Sequence, residues 1–284
     1  MAKIENETTL YKQNMEAIQS KLIECGFPAD EKIPVWAMPD ALDAALGLHE
    51  VFVCAKNDTL YTLEQIQKMT ARQIAAAIPS VRGIVLSAEG HRLLIAPTDA
   101  YLPDDDGNEN FRHYWGGYSF DTSMPNISTT LGVAEQAAKT AAILDFDGYA
   151  KTQVMKTELE DAQVVAPASG NTDETATQIG SAAYRAVAAY ETNTKISGGE
   201  KGWYLPAIGE LTLIFRHLAA VHALMDAFNN RVGIGMFERF PAEYYWSSSE
   251  SYSTNAWLVN FGSGGMGTNN KFVAYRVRAV AAFH

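Results

Sequence analysis

The sequence predicts an α+β domain carried behind an N-terminal helical arm, and three observations predict it. From Pro206 to Met225 the apolar residues Leu211, Ile214, Phe215, Leu218, Val221 and Met225 keep 3–4 spacing, the mark of one buried helical stripe. After that run the pattern changes to alternation, with Trp257, Val259 and Phe261 on one strand face. Between residues 51 and 96 lie several short strand-like runs bounded by turn residues.

Taken in order, Leu10, Met15, Ile18 and Leu22 have helical spacing, and Gly26 and Pro28 end that helix. A shorter helix is expected from Pro39 to Leu48. Residues 1–48 are too few for a core of their own, so they form an arm that packs on the rest or on a partner chain, with homo-oligomerisation expected through it. Residues 49–284 form the main domain. Its first part, 49–145, is rich in strands and loops, and its core, 146–284, ends in the ligand-display region. Val51-Phe-Val-Cys-Ala reads as a strand closed by Asn57-Asp58. Thr62 caps a helix expected to run through Ile78. Gly83–Ser87 and Leu93–Ala96 are two strands joined in a hairpin at Glu89-Gly90. A loop-rich stretch continues from Pro103 to about Asp147. A helix is expected over Asp173–Tyr190, with Gly198-Gly199 after it. Pro206 suits the first turn of the long helix and Glu210 its positive end. Phe272–Val280 reads as a last strand, with Val273, Tyr275 and Val277 opposite Arg276 and Arg278.

Composition narrows the function classes. Hydrophobic residues make up 47% and charged residues 19%, which suffices for a sizeable core. The net charge of −11 and the absence of a Lys/Arg stripe argue against nucleic acid. The two cysteines, Cys25 and Cys54, are too few for a disulfide framework, and reduced thiols in a reducing compartment are expected. The first residues show no apolar h-region, so no signal peptide is expected and the chain starts in a cytosol. No apolar run approaches the ~20 residues of a membrane span. The sequons at Asn6, Asn57 and Asn126 then carry little weight.

Each motif of known chemistry lacks its context. Gly262-Ser-Gly264-Gly-Met-Gly267 matches G-x-G-x-x-G, but a dinucleotide site needs a following helix and an acid about 20 residues on. A strand-like segment comes next instead, so the motif reads as a flexible loop. Asp104-Asp-Asp-Gly-Asn-Glu misses the calcium-loop spacing and reads as a solvated acidic turn, as does Asp145-Phe-Asp147-Gly148. His217 and His222 are five apart and do not share a helix face as an i, i+4 zinc pair would. Ser247-Ser-Ser249 offers nucleophiles, but no histidine lies nearby in sequence. No metal and no cofactor are expected.

The remaining constellation is C-terminal: Gly202-Trp-Tyr-Leu-Pro-Ala-Ile-Gly-Glu-Leu, then Tyr245-Trp-Ser-Ser-Ser-Glu250, Ala256-Trp257, Phe261-Gly262 and Tyr275-Arg-Val-Arg. This order resembles the C-type-lectin-fold family of bacterial and phage proteins. That family includes collagen-like-protein C-terminal domains and the variable proteins of diversity-generating retroelements. The resemblance is specific from Gly202 to Phe283 and extends upstream, more loosely, through Trp115-Gly-Gly-Tyr and Asp147-Gly-Tyr-Ala-Lys-Thr. Residues 1–48 have no counterpart in it.

The resemblance implies a C-type-lectin-like (formylglycine-generating-enzyme-like) fold whose constant scaffold displays a ligand surface near the C-terminus. Trp203, Leu205, Pro206, Trp246, Trp257, Phe261, Arg276 and Val277 would be scaffold. The implied ligand-binding residues are Tyr244, Glu250, Ser251, Tyr252, Ser253, Thr254, Asn255, Asn260, Ser263, Thr268, Asn269, Asn270 and Phe272. Most of these are residue types that adenine mutagenesis of asparagine-type codons yields. Tyr adds contact area at low entropic cost, and Ser and Asn add adaptable hydrogen bonds. The implied function is non-catalytic binding of a protein or glycan on a cell surface, in phage receptor binding or adhesion, with a virion as one setting. Two alternatives stand beside it: a structural virion component without a diversified ligand, and an enzyme of the formylglycine-generating type. The enzyme needs a cysteine pair in the C-terminal half, and both cysteines here precede residue 60.

Overall fold

The computed structural model describes residues 49–103, 107–116, 121–127, 133–159, 163–166, 176–233 and 235–283. The two arm helices expected before residue 49, together with Gly117-Tyr118 and Asp104–Asp106, lie outside the described residues. By internal contacts the chain divides into two units, Met1–Glu50 with Ser87–Gly90, and Val51–Leu86 with His91–His284. Of the first, the structure describes strand ends and a tight turn in which Glu89 and Gly90 take positive φ. The second carries the hydrophobic core.

The architecture is mixed helix and sheet, with several small antiparallel sheets. A five-stranded sheet has the order β14-β4-β3-β1-β2. Its strands are β1 (His49–Ala55), β2 (Leu60–Thr62), β3 (Val81–Ala88), β4 (His91–Ile95) and β14 (Val280–Ala282). The last strand returns to pair with β4, Val280 opposite Ile95 and Ala282 opposite Leu93. A three-stranded sheet is made of β10 (Tyr244–Tyr252), β11 (Asn255–Asn260) and β12 (Met266–Asn270). Two-residue strands β5 (Leu102–Pro103) and β6 (Glu109–Asn110) pair, as do β7 (His113–Tyr114) and β13 (Ala274–Tyr275); β8 (Gln163–Ala166) pairs with β9 (Ala176–Ile179). The helices are α1 (Leu63–Lys68), α2 (Ala71–Ala77), α3 (Val133–Ala142), α4 (Gly148–Leu159), α5 (Ala182–Thr194), α6 (Ile208–Arg216) and α7 (Leu218–Val232). The core gathers Trp115, Met155, Leu159, Val187, Tyr190, Leu205, Trp246, Leu258 and Val277, with Leu94 of the first sheet.

Several expected elements are corrected. The helix from Thr62 is two helices, because Thr70 starts a second capping box with Gln73 just as Thr62 does with Gln65. Met69 between them is extended. The long helix after Pro206 breaks at His217, whose φ of −105° and ψ of 16° end α6 and begin α7, with a 67° bend. The helix expected from Asp173 starts only at Ala182, because Gly180 has a φ of 64° and the Ser181 side chain accepts from the Tyr184 N–H. Residues 176–179 are a strand instead. The region expected to be loop up to Asp147 contains α3. Phe272–Val280 is not one strand, and Arg276 and Arg278 do not share a solvent face: Arg278 is fully buried. It lies over the Phe240 ring, and its Nε donates to Asp99 at 2.5 Å.

Candidate functional site

The segments that carry the resemblance meet inside the molecule as a clasp. Asp147–Thr152 opens α4, and Gly202–Leu211 leads into α6. Thr152 Oγ1 accepts from the Leu205 N–H at 3.0 Å and donates to the Gly148 carbonyl at 2.8 Å. Tyr149 meets Tyr204 edge-on, centroids 5.9 Å apart. Glu210 accepts from the Ala207 N–H at 2.7 Å and from the Tyr204 hydroxyl at 3.0 Å. Gly148 is required at this crossing, since a Cβ there would stand 2.2 Å from Glu210 Oε2 and 2.6 Å from Ala207 N. Burial pushes the Glu210 carboxyl up to about 8, against the Ala207 and Tyr204 hydrogen bonds. Asp145 is buried too, which corrects the reading of a solvated turn. It accepts from Lys151 at 2.5 Å and from Ser249 Oγ at 2.6 Å. Ser247 Oγ donates to the Trp257 carbonyl at 2.8 Å, so both serines are spent on scaffold bonds.

A second buried network joins the motif residues Tyr245, Arg276 and Arg278 to the sequence-distant Asp99, which no motif announces. Asp99, fully buried, accepts from Arg278 Nε, from Arg276 Nη1 at 2.8 Å and from the Tyr245 hydroxyl at 2.8 Å. A third joins Glu250, Lys271 and Thr122. Glu250 and Lys271 side chains have no exposed surface, and Thr122 donates to Glu250 through its N–H and its hydroxyl. Burial raises the Glu250 carboxyl and lowers the Lys271 ammonium, and each partner opposes the other's shift.

The thirteen residues implied as ligand contacts do not form one surface. Glu250 and Ser251 are fully buried and lie beneath the surface. The rest obey the strand register. Tyr244 stands opposite Asn260, Trp246 opposite Leu258, Glu250 opposite Ala256 and Tyr252 opposite Asn255. Asn255 faces Asn270, Ala256 faces Asn269 and Trp257 faces Thr268. Tyr252, Ser253, Thr254, Asn255 and Asn270, with the half-buried Phe272, therefore cluster where β10 turns into β11. Tyr244, Asn260 and Ser263 lie at the other end, about 17 Å away at ~3.3 Å per residue. Neighbouring side chains alternate faces, so Asn269 and Asn270 point to opposite sides. Asn270 and Thr268 share the face of buried Trp257 and Val259. Asn269 shares the face of Ala256, Leu258, Trp246 and Tyr244. Asn260 is a turn-former: its Oδ1 accepts from the N–H groups of Gly262 and Ser263 at 2.8 and 3.1 Å. Of the glycine motif, Gly262–Gly265 is the turn between β11 and β12, while Met266 and Gly267 already belong to β12; Gly264, at a φ of 73°, lies so close to Phe215 that a Cβ would clash with its ring.

One strip brings an exposed tyrosine together with a half-buried tyrosine and a half-buried amide. Tyr244 is 42% exposed, a large apolar side chain left open where most are buried. Its ring lies 5.2 Å from that of Tyr275, which also packs 5.0 Å from Trp246. Asn269 Nδ2 donates to the Tyr275 hydroxyl at 2.6 Å. Backbone bonds fix Tyr275 from both sides: it pairs with His113 of β7, and the next residue, Arg276, bonds Tyr244 and Trp246 of β10. Trp246 Nε1 is held by the His113 carbonyl at 3.0 Å. Burial raises the Tyr275 phenol, and the Asn269 hydrogen bond pulls it back. Sequence reasoning misses Tyr275, which takes the inward side when Phe272–Val280 is read as a continuous strand. Its position beside Tyr244 has no local signal.

Two clefts among the described residues lie elsewhere. One cleft of about 430 Å³ is lined by Ile78, Val81, Phe228, Val232 and Met236. Another of about 470 Å³, lined by Asp58, Arg82, Ser197 and Glu200, shares Val81 and Met236 with it. Neither includes a residue of the strip. Among the described residues, no three or more His, Cys, Asp or Glu groups are placed to hold a metal ion.

Fold and site together define a mixed helix-and-sheet module with a buried polar scaffold and a strand-borne aromatic and amide strip. The chain belongs to the Lcl C-terminal domain family, whose sequence model matches residues 129–281, just over half of the chain. The match takes in both halves of the clasp. No curated protein matches the chain. Among solved structures, a fimbrial protein from Bacteroides ovatus ATCC 8483 is similar at 17% identity, with a TM-score of 0.41 over 67% of this chain. The chain spans 35% of that protein's length.

Proposed function

We propose that this protein is a non-catalytic binding protein of the surface-adhesion type, and that the strip Tyr244–Tyr275–Asn269 is its contact face for a protein or glycan target. The observation that carries this is the exposed Tyr244 ring packed against the half-buried Tyr275, beside the buried Trp246 that anchors both. Rigid aromatic anchors beside adaptable polar groups dominate interface energies. Family membership supports the reading. We read the fold as C-type-lectin-like, with the return of β14 beside β4 in support. Tyr252, Ser253, Thr254, Asn255 and Asn270 at the far end of the sheet are the positions a diversifying retroelement would vary at least cost to the fold. A reverse-transcriptase gene and a near-copy of the 3′ end beside the coding sequence would support that finer reading, and their absence would remove it.

The test is a screen of the labelled full chain against bacterial surface extracts, with and without a chelator. Binding that survives chelation and is lost in Tyr244→Ala, at an unchanged urea midpoint, is the expected result. Full binding by Tyr244→Ala would move the contact face elsewhere, and loss on chelation would overturn the metal-free reading.

A further inference from the structure

We propose that Asn269 sets the hydrogen-bond polarity of this face, holding the Tyr275 hydroxyl as a donor toward the acetamido carbonyl of an N-acetylated sugar. The proposal rests on the reading of the strip as the ligand surface.

The Asn269 amide has one orientation that satisfies its neighbours. Its Oδ1 accepts from the Asn270 N–H at 2.8 Å, so its Nδ2 is the group that faces Tyr275 and donates to it at 2.6 Å. A phenol oxygen has one proton to give and lone pairs to receive with. Receiving from Asn269, it keeps its proton, and among the described residues no acceptor takes that proton. The hydroxyl therefore offers a donor. Beside it the half-exposed Tyr244 ring, tilted 50° to Tyr275, is a flat wall. A donor next to an aromatic wall fits a small planar amide, with its carbonyl oxygen on the hydroxyl and its methyl on the ring.

Two further features narrow the class. Two cations beside the strip are already matched: Glu243, the residue before Tyr244, accepts from Arg112 at 2.7 Å and pairs with Arg276, the residue after Tyr275, at 3.3 Å. On a chain of net charge −11, a neutral acceptor fits better than a carboxylate. Nor does the site suit a peptide bound through its backbone. Such peptides add to a free strand edge, whereas the backbone at Tyr275 and Arg276 is engaged by β7 on one side and β10 on the other. An acetamido group hung on a sugar ring needs no strand edge.

The experiment is NMR of the full chain with labelled tyrosines, titrated separately with N-acetylglucosamine, glucose and N-acetylalanine N-methylamide. N-acetylglucosamine is expected to shift the Tyr244 and Tyr275 ring signals, glucose to leave them unmoved, and the peptide amide to bind more weakly. In Asn269→Asp the carboxylate accepts a hydrogen bond from the phenol, which keeps its proton and no longer offers it to a ligand. Affinity for N-acetylglucosamine should then fall about tenfold, the worth of one hydrogen bond. The Tyr275 phenol should titrate higher than in the wild type, while the urea midpoint holds. A residue that only supported the strand would not raise the phenol further in this way. Wild-type affinity in Asn269→Asp overturns the polarity claim, an equal response to glucose overturns the carbonyl, and tighter binding of the peptide amide overturns the sugar. Silence of both tyrosines toward N-acetylglucosamine overturns the inference as a whole. The broader reading fails on a different result, retained surface-extract binding by Tyr244→Ala.

Discussion

Glu210 shows how a residue that reads as a simple helix-start charge serves the scaffold instead. The expected favourable end of the dipole is there, since Glu210 occupies the first turn of α6. But its carboxyl is buried, bonded to Ala207 N and Tyr204, and raised from 4.5 to about 8. A carboxyl whose folded value is raised holds its proton more tightly when folded. Its contribution is fully present below about pH 4.5 and is lost as pH rises through about 8. Gln can accept from the Ala207 N–H through Oε1 and donate Nε2 to the Tyr204 hydroxyl oxygen, without titrating. Glu210→Gln should therefore flatten the fall in urea midpoint between those two pH values. An unchanged pH profile in the variant would mean that another group carries the dependence. Asn260 carries the same lesson in reverse. Its type and position suggest display, yet its Oδ1 organises the β11–β12 turn. Asn260→Ala should cost about 1 kcal/mol, as loss of a comparable cap does. Ser263→Ala, at an exposed neighbour, should stay within about 0.5 kcal/mol. Equal midpoints for the two variants would contradict the turn role.

At the scale of elements, alternation and turn chemistry are readable where they are local. β1, the β3–β4 hairpin and β11 stand where the pattern places them, but β11 is buried on both faces, Ala256 and Leu258 as well as Trp257 and Val259, where alternation alone would leave one face open. Breaks are harder to read. The second Thr-x-x-Gln at Thr70–Gln73 is a visible signal for splitting the first helix. His217 offers no such signal, because α6 and α7 continue the same apolar spacing across the bend. The C-terminal Arg276 and Arg278 look like a polar strand face. Their partner Asp99 is far off in sequence, and one buried acid has no periodicity to give it away. The Glu250–Lys271 pair is of the same kind and ties β10 to the connection after β12. Removing one partner of a buried pair strands the other's charge, at a cost of about 3–5 kcal/mol. Lys271→Met should lower stability by that much, and adding Glu250→Gln should recover most of it in a urea-denaturation cycle. A near-neutral Lys271→Met would contradict the pairing.

For the whole molecule, family membership and mixed architecture are legible because the motif residues are scaffold: they build the clasp between α4 and α6 and the buried faces of β10 and β11. The ligand face is legible only in part. Residue type picks out Tyr244 and Asn269, but type cannot say which side of a strand a residue faces. The thirteen residues that the resemblance implies therefore mix two ends of a sheet, two faces and two core positions. Tyr275 completes the strip only because β13 is laid against β10 by the fold. The central claim is that this strip is where the protein meets its target. It is tested most directly by hydrogen–deuterium exchange on the full chain, free and bound to a target captured from surface extracts. Protection on binding is expected over residues 244–246 and 269–275, with the surfaces at Ile78, Phe228 and Met236 unchanged. Protection confined to those cleft residues, with the strip exchanging as in the free protein, would contradict it.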